Sequence, residues 1–249
     1  MALEDDDKEM SILDHLEELR GMLFRIFCVL GIGAVICFFF SEYLLSIFMK
    51  RANSNIQFVV ISPTEGFFTR LKLGILAGFI LTMPWNLFNI WRFVSPGLSR
   101  KEVNILYWVT PVLCFLFLVG ASIAFYLVIP LGLEFLLNFE IAEIQSNISI
   151  ERYISFCISI ILIMGGTFEL PVLLLLLFFV GILRPGMLRK SRRYVIVGSF
   201  VVSALLTPPD IVTQILVGIP MIALYEISIL FMSMFERRQK ENLESLESE

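Results

Sequence analysis

The chain has 249 residues, of which 57% are hydrophobic, and a net charge of −4, with a mean hydropathy of +0.85. Because soluble domains are only about 45–50% apolar, this composition excludes an ordinary soluble protein and predicts an all-α integral membrane protein. The near-neutral charge gives no reason to expect nucleic acid as a partner. A single histidine excludes a His-based triad and an HExxH site, and the four cysteines lack metal-ligand spacing, so we expect no metal.

Residues 1–10 form an acidic leader whose origin, native or added, the sequence leaves open. Its acidity is the reverse of the basic start of a secretory signal, so no cleavable signal peptide is predicted. In residues 11–27 apolar side chains recur at helical spacing, which predicts an amphipathic helix on the membrane surface leading into the first span. Its polar face carries three acids, for which a solvated face is a sufficient explanation: Asp14, Glu17 and Glu18.

Apolar runs of about 20 residues, enough to cross about 30 Å of hydrocarbon, predict six transmembrane helices. They lie at residues 22–41, 73–91, 105–130, 153–182, 194–206 and 211–235. The fifth and sixth spans are short, since their charge-free stretches are only about 22–24 Å long at 1.5 Å per residue. Such a pair either thins the bilayer locally or leans on partner helices. Residues 11–236 are therefore predicted to be one membrane domain, and residues 237–249 a charged tail.

Two connecting segments have patterns that leave their roles open. Residues 62–72 combine a proline, an acid and two adjacent phenylalanines, which predicts either an interfacial re-entry or part of an aromatic belt. Residues 91–104 contain a Pro-Gly turn followed by Glu102. Alone, this second pattern indicates a turn and an acid at the beginning of the third span.

The fourth span contains Glu169, the one charged residue between positions 153 and 183. A charged acid at mid-membrane is costly, so it must face protein or water, pair with a donor, or stay protonated. Pro171 cannot donate a backbone hydrogen bond, which predicts a kink, and Gly165 and Gly166 allow another helix to approach closely. Three roles stay open: a neutral acid bonded to a neighbouring helix, a docking point for a partner's transmembrane segment or a substrate, and a proton relay.

Basic residues in the connecting segments indicate the orientation. Lys and Arg are frequent before the first span and after the second, fourth and sixth spans. The opposite connections hold fewer of them and include an acidic stretch over residues 131–152. The positive-inside rule therefore places both termini in the cytoplasm, as an even number of spans requires.

Six segments, in order, resemble the TatC family, the multispan core of the twin-arginine protein translocase. They are HLEELR (15–20), SPTEGFF (62–68), WRFVSPGLSRKE (91–102), GGTFELP (165–171), RRYVIVGSFVVSALLTPPDIVTQ (192–214) and IPMIALYE (219–226). Together they extend over almost all of residues 11–236, on a six-span topology obtained independently of them. Asn89 stands where the family usually has Gln, and Thr213 where it often has Ser.

The resemblance implies a receptor in the bacterial cytoplasmic (inner) membrane that binds the twin-arginine signal peptides of folded precursors. It also implies TatA-like and TatB-like single-span partners, self-association, and export driven by the proton motive force without a nucleotide, another cofactor or enzymatic chemistry. Carried over by motif, the residues that bind the signal peptide are Glu18, Glu102, Phe93 and Arg20. The intramembrane and partner-docking residues are Glu169, Thr207, Asp210 and Gln214.

Two other classes are weighed against this one. A proton-coupled secondary transporter would use Glu169 as its coupling site, but the chain shows no inverted repeat and no second acid predicted at a similar depth. An intramembrane protease is disfavoured because no pair of aspartates lies within a span.

Overall fold

The structure, a computed structural model, describes residues 12–52, 57–95, 100–137, 147–206 and 211–247. Within these residues it forms eight α-helices and one sheet of two short strands. The helices are α1 (Ile12–Phe39), α2 (Ser41–Arg51), α3 (Pro63–Val94), α4 (Arg100–Ile123), α5 (Ile129–Leu137), α6 (Ile150–Phe179), α7 (Pro185–Leu206) and α8 (Ile211–Glu247). A π-helical turn, Ala124–Val128, joins α4 to α5, and the strands are β1 (Gln57–Val59) and β2 (Asn147–Ser149).

The helical class predicted from composition is confirmed, since the described residues are helical apart from the two strands and short connections. Among the residues that the structure describes, five helices are long and apolar enough to cross a membrane: Asp14–Phe39, Pro63–Val94, Ile105–Leu137, Ile150–Phe179 and Ile211–Arg238. The predicted fifth span falls in α7, whose first half is basic. Because α7 is not one of the five, the count of six spans stays a prediction.

Two stretches differ from what the sequence led us to expect. The surface helix predicted over residues 11–27 is not separate, because α1 continues through it into the first span without a break. Residues 63–72, for which a re-entry and an aromatic belt were the alternatives, are the first turns of α3, which begins at Pro63. Proline suits a first helical position, where its missing N–H would have had no partner within the helix.

The paired strands set the direction of the two central helices. β1 pairs in parallel with β2, with Phe58 opposite Ile148, and each strand leads into a long helix, α3 after β1 and α6 after β2. The helices α3 and α6 therefore run in the same direction, and α1 runs antiparallel to α3. We call the end that holds α2 and the strands the cap end, and the end where α1 begins the N-terminal end.

Apolar side chains fill the centre of the bundle and also cover its outside. On α6, Ile154, Cys157, Ile160 and Met164 are fully buried. Large apolar side chains also point outward, each at least 70% exposed: Phe24, Phe39, Trp108 and Leu205. An apolar exterior of this kind is the expected surface of a protein whose solvent is lipid.

Polar contacts hold α7 to α8 near the N-terminal end. Arg192 Nη2 and Glu226 Oε2 are 2.6 Å apart, and the hydroxyl of Tyr225 donates to the carbonyl of Leu188 at 2.8 Å. Glu226, which lies within the predicted sixth span, is thus paired with Arg192 of the neighbouring helix. This pairing lowers the free-energy cost of placing an acid within the membrane.

Small residues bring α1 and α3 into close contact. A Cβ built on Gly78 would lie 2.5 Å from the backbone nitrogen of Ala34, and one built on Gly74 would lie 3.1 Å from the Ala34 carbonyl oxygen. In lipid, where apolar burial does not drive helices together, such close approach supplies the packing energy.

Replacing Gly78 with leucine should therefore separate α1 from α3. Overpacking of this kind costs about 1–3 kcal/mol, which should lower the midpoint of thermal unfolding of the purified protein in detergent by several degrees. Gly31 is the matched control, because no atom lies within 4 Å of a Cβ built there. Equal effects of Gly78→Leu and Gly31→Leu would show that the close contact does not stabilise the bundle.

Candidate functional site

The first candidate surface lies at the N-terminal end, where the beginning of α1 meets the end of α3. The ring of His15 stacks on that of Phe93, with centroids 4.4 Å apart and planes inclined by 14°. One turn along α1, the Oε2 atom of Glu18 is buried and has no hydrogen-bond partner within the described part of the chain. A buried carboxylate oxygen without a hydrogen-bond partner destabilises the folded protein. This atom is therefore suited to accept a hydrogen bond from a bound molecule.

Two further residues predicted for this surface lie on α1 and α4. Arg20 is exposed on α1. Glu102 lies in the first turn of α4, which begins at Arg100, and its side chain is outside what the structure describes. Trp91 Nε1 donates to Thr110 Oγ1 at 2.9 Å and holds α4 beside α3. Since Glu102 precedes Thr110 by about two turns, its backbone lies about 12 Å beyond that contact, toward the N-terminal end.

The second candidate surface is a groove of about 900 Å³ between α3 and α6, completed by Leu30 of α1 and Phe117 of α4. Its lining is mostly apolar. On α3 the lining residues recur at helical spacing from Lys72 to Ile90, a rise of about 27 Å. This length is close to the thickness of the hydrocarbon core, about 30 Å, so the groove is long enough to hold a membrane-spanning helix.

Polar groups line the groove at its cap end and near its middle. At the cap end, Lys72 Nζ lies 2.7 Å from Glu151 Oε1 and 2.9 Å from Ser155 Oγ. Nearer the middle, Glu169 on α6 and Asn86 on α3 each have one buried oxygen without a hydrogen-bond partner among the described residues. Glu169 therefore lines a concavity, as one of the expectations for a mid-membrane acid required, while its role stays a prediction.

The two glycines before Glu169 differ in their surroundings. Gly165 packs against the ring of Phe117, which a Cβ would overlap, so the close approach expected of this pair occurs there. Gly166 has no neighbour within 4 Å of a Cβ position and lines the groove. The helix α6 continues through Pro171 to Phe179.

Glu65 joins the beginnings of α3 and α6 at the cap end, a role that the sequence analysis missed. Its Oε2 atom accepts from the N–H of Ile61 at 2.6 Å, and its Oε1 atom accepts from the hydroxyl of Ser149 and from the N–H of Glu151 at 3.4 Å. The pattern Ser62-x-x-Glu65 is a capping-box signature, which indicates the bond that Glu65 Oε2 also accepts from the N–H of Ser62 at 3.3 Å. The contact with Ser149, 84 residues away, has no local signal.

The third candidate surface is formed by α7 and α8 toward the cap end. Thr207 and Asp210, predicted to dock a partner, lie outside the described residues. Gln214 is half-buried, and its Nε2 atom donates to the carbonyl of Phe200 at 2.9 Å. This contact fixes α8 against α7.

Comparison with known proteins finds a matching family and several similar proteins. The chain matches the family profile described as Sec-independent protein translocase protein (TatC) over residues 14–220. It is 37% identical over 238 residues to the TatC protein of Desulforapulum autotrophicum. The aligned region covers 94% of this chain and 88% of the relative. The chain is 35% identical over 238 residues to the TatC protein of Escherichia coli K12, covering 93% and 90% of the two chains.

A solved structure agrees with this result. A crystal structure described as the twin arginine translocase receptor TatC in DDM superposes with a TM-score of 0.80 at 34% sequence identity. The match covers 88% of this chain and 99% of the other.

The different surroundings of the two glycines give a prediction for the groove. Gly165→Leu should lower the thermal midpoint, because the new side chain overlaps Phe117 and overpacking costs about 1–3 kcal/mol. Gly166→Leu should leave the midpoint unchanged or raise it, because the space is open and Gly costs about 1 kcal/mol relative to a good helix former. Thermal unfolding of both variants in detergent checks this, and the opposite order would contradict the described groove wall.

Proposed function

Because the chain belongs to the TatC family of Sec-independent protein translocase proteins, we propose that it is the receptor that binds the twin-arginine signal peptides of folded precursors. Family membership makes it a multi-pass protein of the inner membrane, a component of a multi-subunit translocase and not an enzyme. The solved relative is described as a receptor of twin-arginine translocation. The acids at the N-terminal end support the same role for this chain.

The observation that carries the proposal is the buried, unpartnered carboxylate oxygen of Glu18 beside the stacked rings of His15 and Phe93. A guanidinium group presents its N–H donors in a planar fork that a carboxylate accepts through two bonds, and it also stacks on aromatic faces. Glu18 and Phe93 together therefore suit one arginine of a signal peptide. Glu102 supplies the second carboxylate in this proposal, and exposed Arg20 borders the patch.

Arginine is preferred over lysine for a geometric reason. An ammonium group is a compact charge without the planar fork, so it cannot reproduce a two-bond contact with a carboxylate. This preference would explain why acids lie at the N-terminal end although the surrounding segments are basic. They would bind the two positive charges of a twin-arginine motif that approaches from the cytoplasm. The apolar part of the signal would continue from this patch along the apolar helices beneath it.

Single-span partners complete the proposed assembly. TatA-like and TatB-like helices would dock at Glu169 in the groove and on the α7–α8 surface with Thr207, Asp210 and Gln214, and the chain would self-associate. The family transports proteins, and we propose that the proton motive force supplies the energy here. A proton-coupled solute transporter is not favoured, because the family, the relatives and the solved fold all belong to protein translocation.

The proposed topology has six spans with both termini in the cytoplasm. It rests on the basic beginning of α7, where Arg189, Lys190, Arg192 and Arg193 are exposed, and on the positive-inside rule. The apolar second half of α7 would form the fifth span. It is shorter than a usual span, so it would need a thinned bilayer or the support of α8 and a partner helix.

Removing the acids should weaken binding of the signal peptide. Hydrogen bonds to charged groups contribute about 1.5–3 kcal/mol each, so Glu18→Ala or Glu102→Ala should reduce affinity for a synthetic twin-arginine peptide about tenfold or more. Glu18→Gln should lose most of this affinity as well, because the charge is gone. Titration of the purified protein with fluorescent peptides carrying RR or KK measures the effect.

Glu17→Gln is the matched control, since Glu17 is an exposed acid on the same helix. It should bind the RR peptide as the unaltered protein does. Unchanged RR binding in the double variant Glu18→Ala/Glu102→Ala would refute the proposed site.

The topology is tested by labelling single cysteines introduced at exposed positions, in a chain whose own cysteines are replaced. A reagent that cannot cross the membrane should label a cysteine at Thr64, at the cap end, in intact cells. A cysteine at Lys190 should react only after the cells are opened. The reverse pattern would place the acids of the proposed receptor site on the wrong side.

A further inference from the structure

A second apolar cavity, which we call the cap-end pocket, lies between α2, α3 and the end of α4. Its volume is about 260 Å³, and the buried side chain of Ile161 from α6 forms its floor. Leu118 and Tyr126 also line it and are 48% and 63% exposed, so the pocket opens on the outer surface of the bundle, toward lipid. It is separate from the groove, with which it shares only the lining residue Leu76.

The size of the cap-end pocket suits one lipid chain and not a helix. On α3 its lining runs from Leu73 to Ile80, a rise of about 10 Å, which is a third of the hydrocarbon thickness. A helix is about 10–12 Å wide with its side chains, so two turns of one would occupy several times the volume of the pocket. The Ser122 hydroxyl in the lining already donates to the Leu118 carbonyl at 2.7 Å, so it does not require a polar ligand.

Arg51, the last residue of α2, is held beside this pocket by a contact that the sequence explains. Pro130 has no N–H, so it cannot donate to the carbonyl four residues before it, which is that of Tyr126. The Nη2 atom of Arg51 donates to this carbonyl at 2.7 Å, and its guanidinium carbon lies 5.3 Å from the centre of the Tyr126 ring. Because Tyr126 is an exposed lining residue, the guanidinium group lies at the outer edge of the pocket.

This edge carries positive charge that the chain does not neutralise. A guanidinium group has five N–H donors, and among the described residues the Tyr126 carbonyl is the one acceptor that the Arg51 side chain contacts. Lys50, which is exposed, adds a second cation in the last turn of α2. In the part of the chain that the structure describes, neither forms an ion pair with an acid, whereas Arg70 lies 3.3 Å from Glu42. The edge of the pocket therefore suits an anion.

The cations and the apolar lining are arranged in the order of the parts of a phospholipid. The helix α4 runs toward the cap end, so the lining continues from Tyr126, beside Arg51, to Leu118, about 12 Å deeper in the membrane. A phospholipid likewise carries its phosphate at the membrane surface and its acyl chains below. A guanidinium group binds phosphate oxygens through two parallel hydrogen bonds, and basic side chains near the surface attract lipids with net negative charge.

We propose that the cap-end pocket binds an acyl chain of a phospholipid with net negative charge, and that Arg51 and Lys50 contact its phosphate. The lipid belongs to the leaflet at the cap end. It fills the space between α2, α3 and α4 and so joins these three helices. The site goes beyond the proposed function, because it involves neither a signal peptide nor a protein partner.

The experiment identifies the lipid inside the pocket. A photoreactive residue replaces Ser122 in the lining, and the purified full chain is reconstituted into vesicles that contain phosphatidylglycerol and phosphatidylcholine in equal amounts. After illumination, mass spectrometry identifies the lipid attached to the protein. The anionic lipid should be attached in about fivefold excess, the preference expected from one basic side chain near a charged head group.

Three substitutions separate the charge of Arg51 from its contact with α4. Arg51→Gln removes the charge and should reduce the excess of the anionic lipid about fivefold. Arg51→Lys keeps the charge and should keep most of the excess. Arg152→Gln is the matched control, because Arg152 is an exposed basic residue at the cap end. It precedes Ile161 by about two and a half turns, so it lies on the opposite face of α6 from the pocket, and its loss should leave the excess unchanged.

Filling the pocket tests the acyl chain separately. Ala77 of α3 lines the pocket, and Ala77→Phe should place a ring where the chain would lie. Attachment of both lipids at position 122 should then fall severalfold. Ala121→Phe fills the same space from α4 and replaces Ala77→Phe in the test if thermal unfolding in detergent shows that Ala77→Phe does not fold.

Several results would overturn the inference. Equal attachment of the two lipids to the chain with native Arg51 would show that the site does not select charge. Loss of the excess in Arg51→Lys as well as in Arg51→Gln would make Arg51 a structural residue that holds the π-helical turn. Undiminished attachment in the folded phenylalanine variant would show that no chain enters the pocket. An adduct with the mass of a second copy of the chain, in place of a lipid, would make the pocket a protein contact.

Discussion

The carboxylate of Glu65 is the contact on which the candidate groove depends. By accepting hydrogen bonds from its own helix start and from Ser149 and Glu151, it ties the beginning of α3 to the beginning of α6. The parallel pairing of β1 with β2 fixes the same register from the other side. Because helices are stiff over their length, a register set at the cap end also decides which residues of α3 and α6 line the groove together deep in the membrane.

Much of the fold follows from the sequence, because length and hydropathy are local properties. The apolar runs predict the long helices, and the isolated Glu169 marks the groove wall. The cap end was not predicted: Ser62-x-x-Glu65 indicates a helix start, but its contact with Ser149 depends on a pairing between segments far apart in the chain. Asn86 was not predicted as a lining residue of the groove for the same reason. An amide in an apolar run has no evident role until its hydrogen-bond partners and the helix across the groove are known.

The polar groups of the transmembrane helices fall into two classes. Some are matched within the chain, as Arg192 is with Glu226 and the Trp91 indole with Thr110. Others, on Glu18, Asn86 and Glu169, have a buried oxygen without a partner in the described residues. The first class holds helices together. All three members of the second class lie on the N-terminal patch or in the groove, the two surfaces for which a bound peptide or helix is proposed.

In the proposed function, this division lets one apolar bundle recognise its partners in lipid. Apolar contacts alone give little selectivity there, because lipid tails compete for the same surfaces. An unpartnered acceptor does discriminate, since it is satisfied by a helix or peptide that brings a donor at the right depth and penalises one that does not. In that proposal the N-terminal patch would select charge and planar geometry from the aqueous side, and the groove would select a helix that brings a hydrogen-bond donor within the membrane.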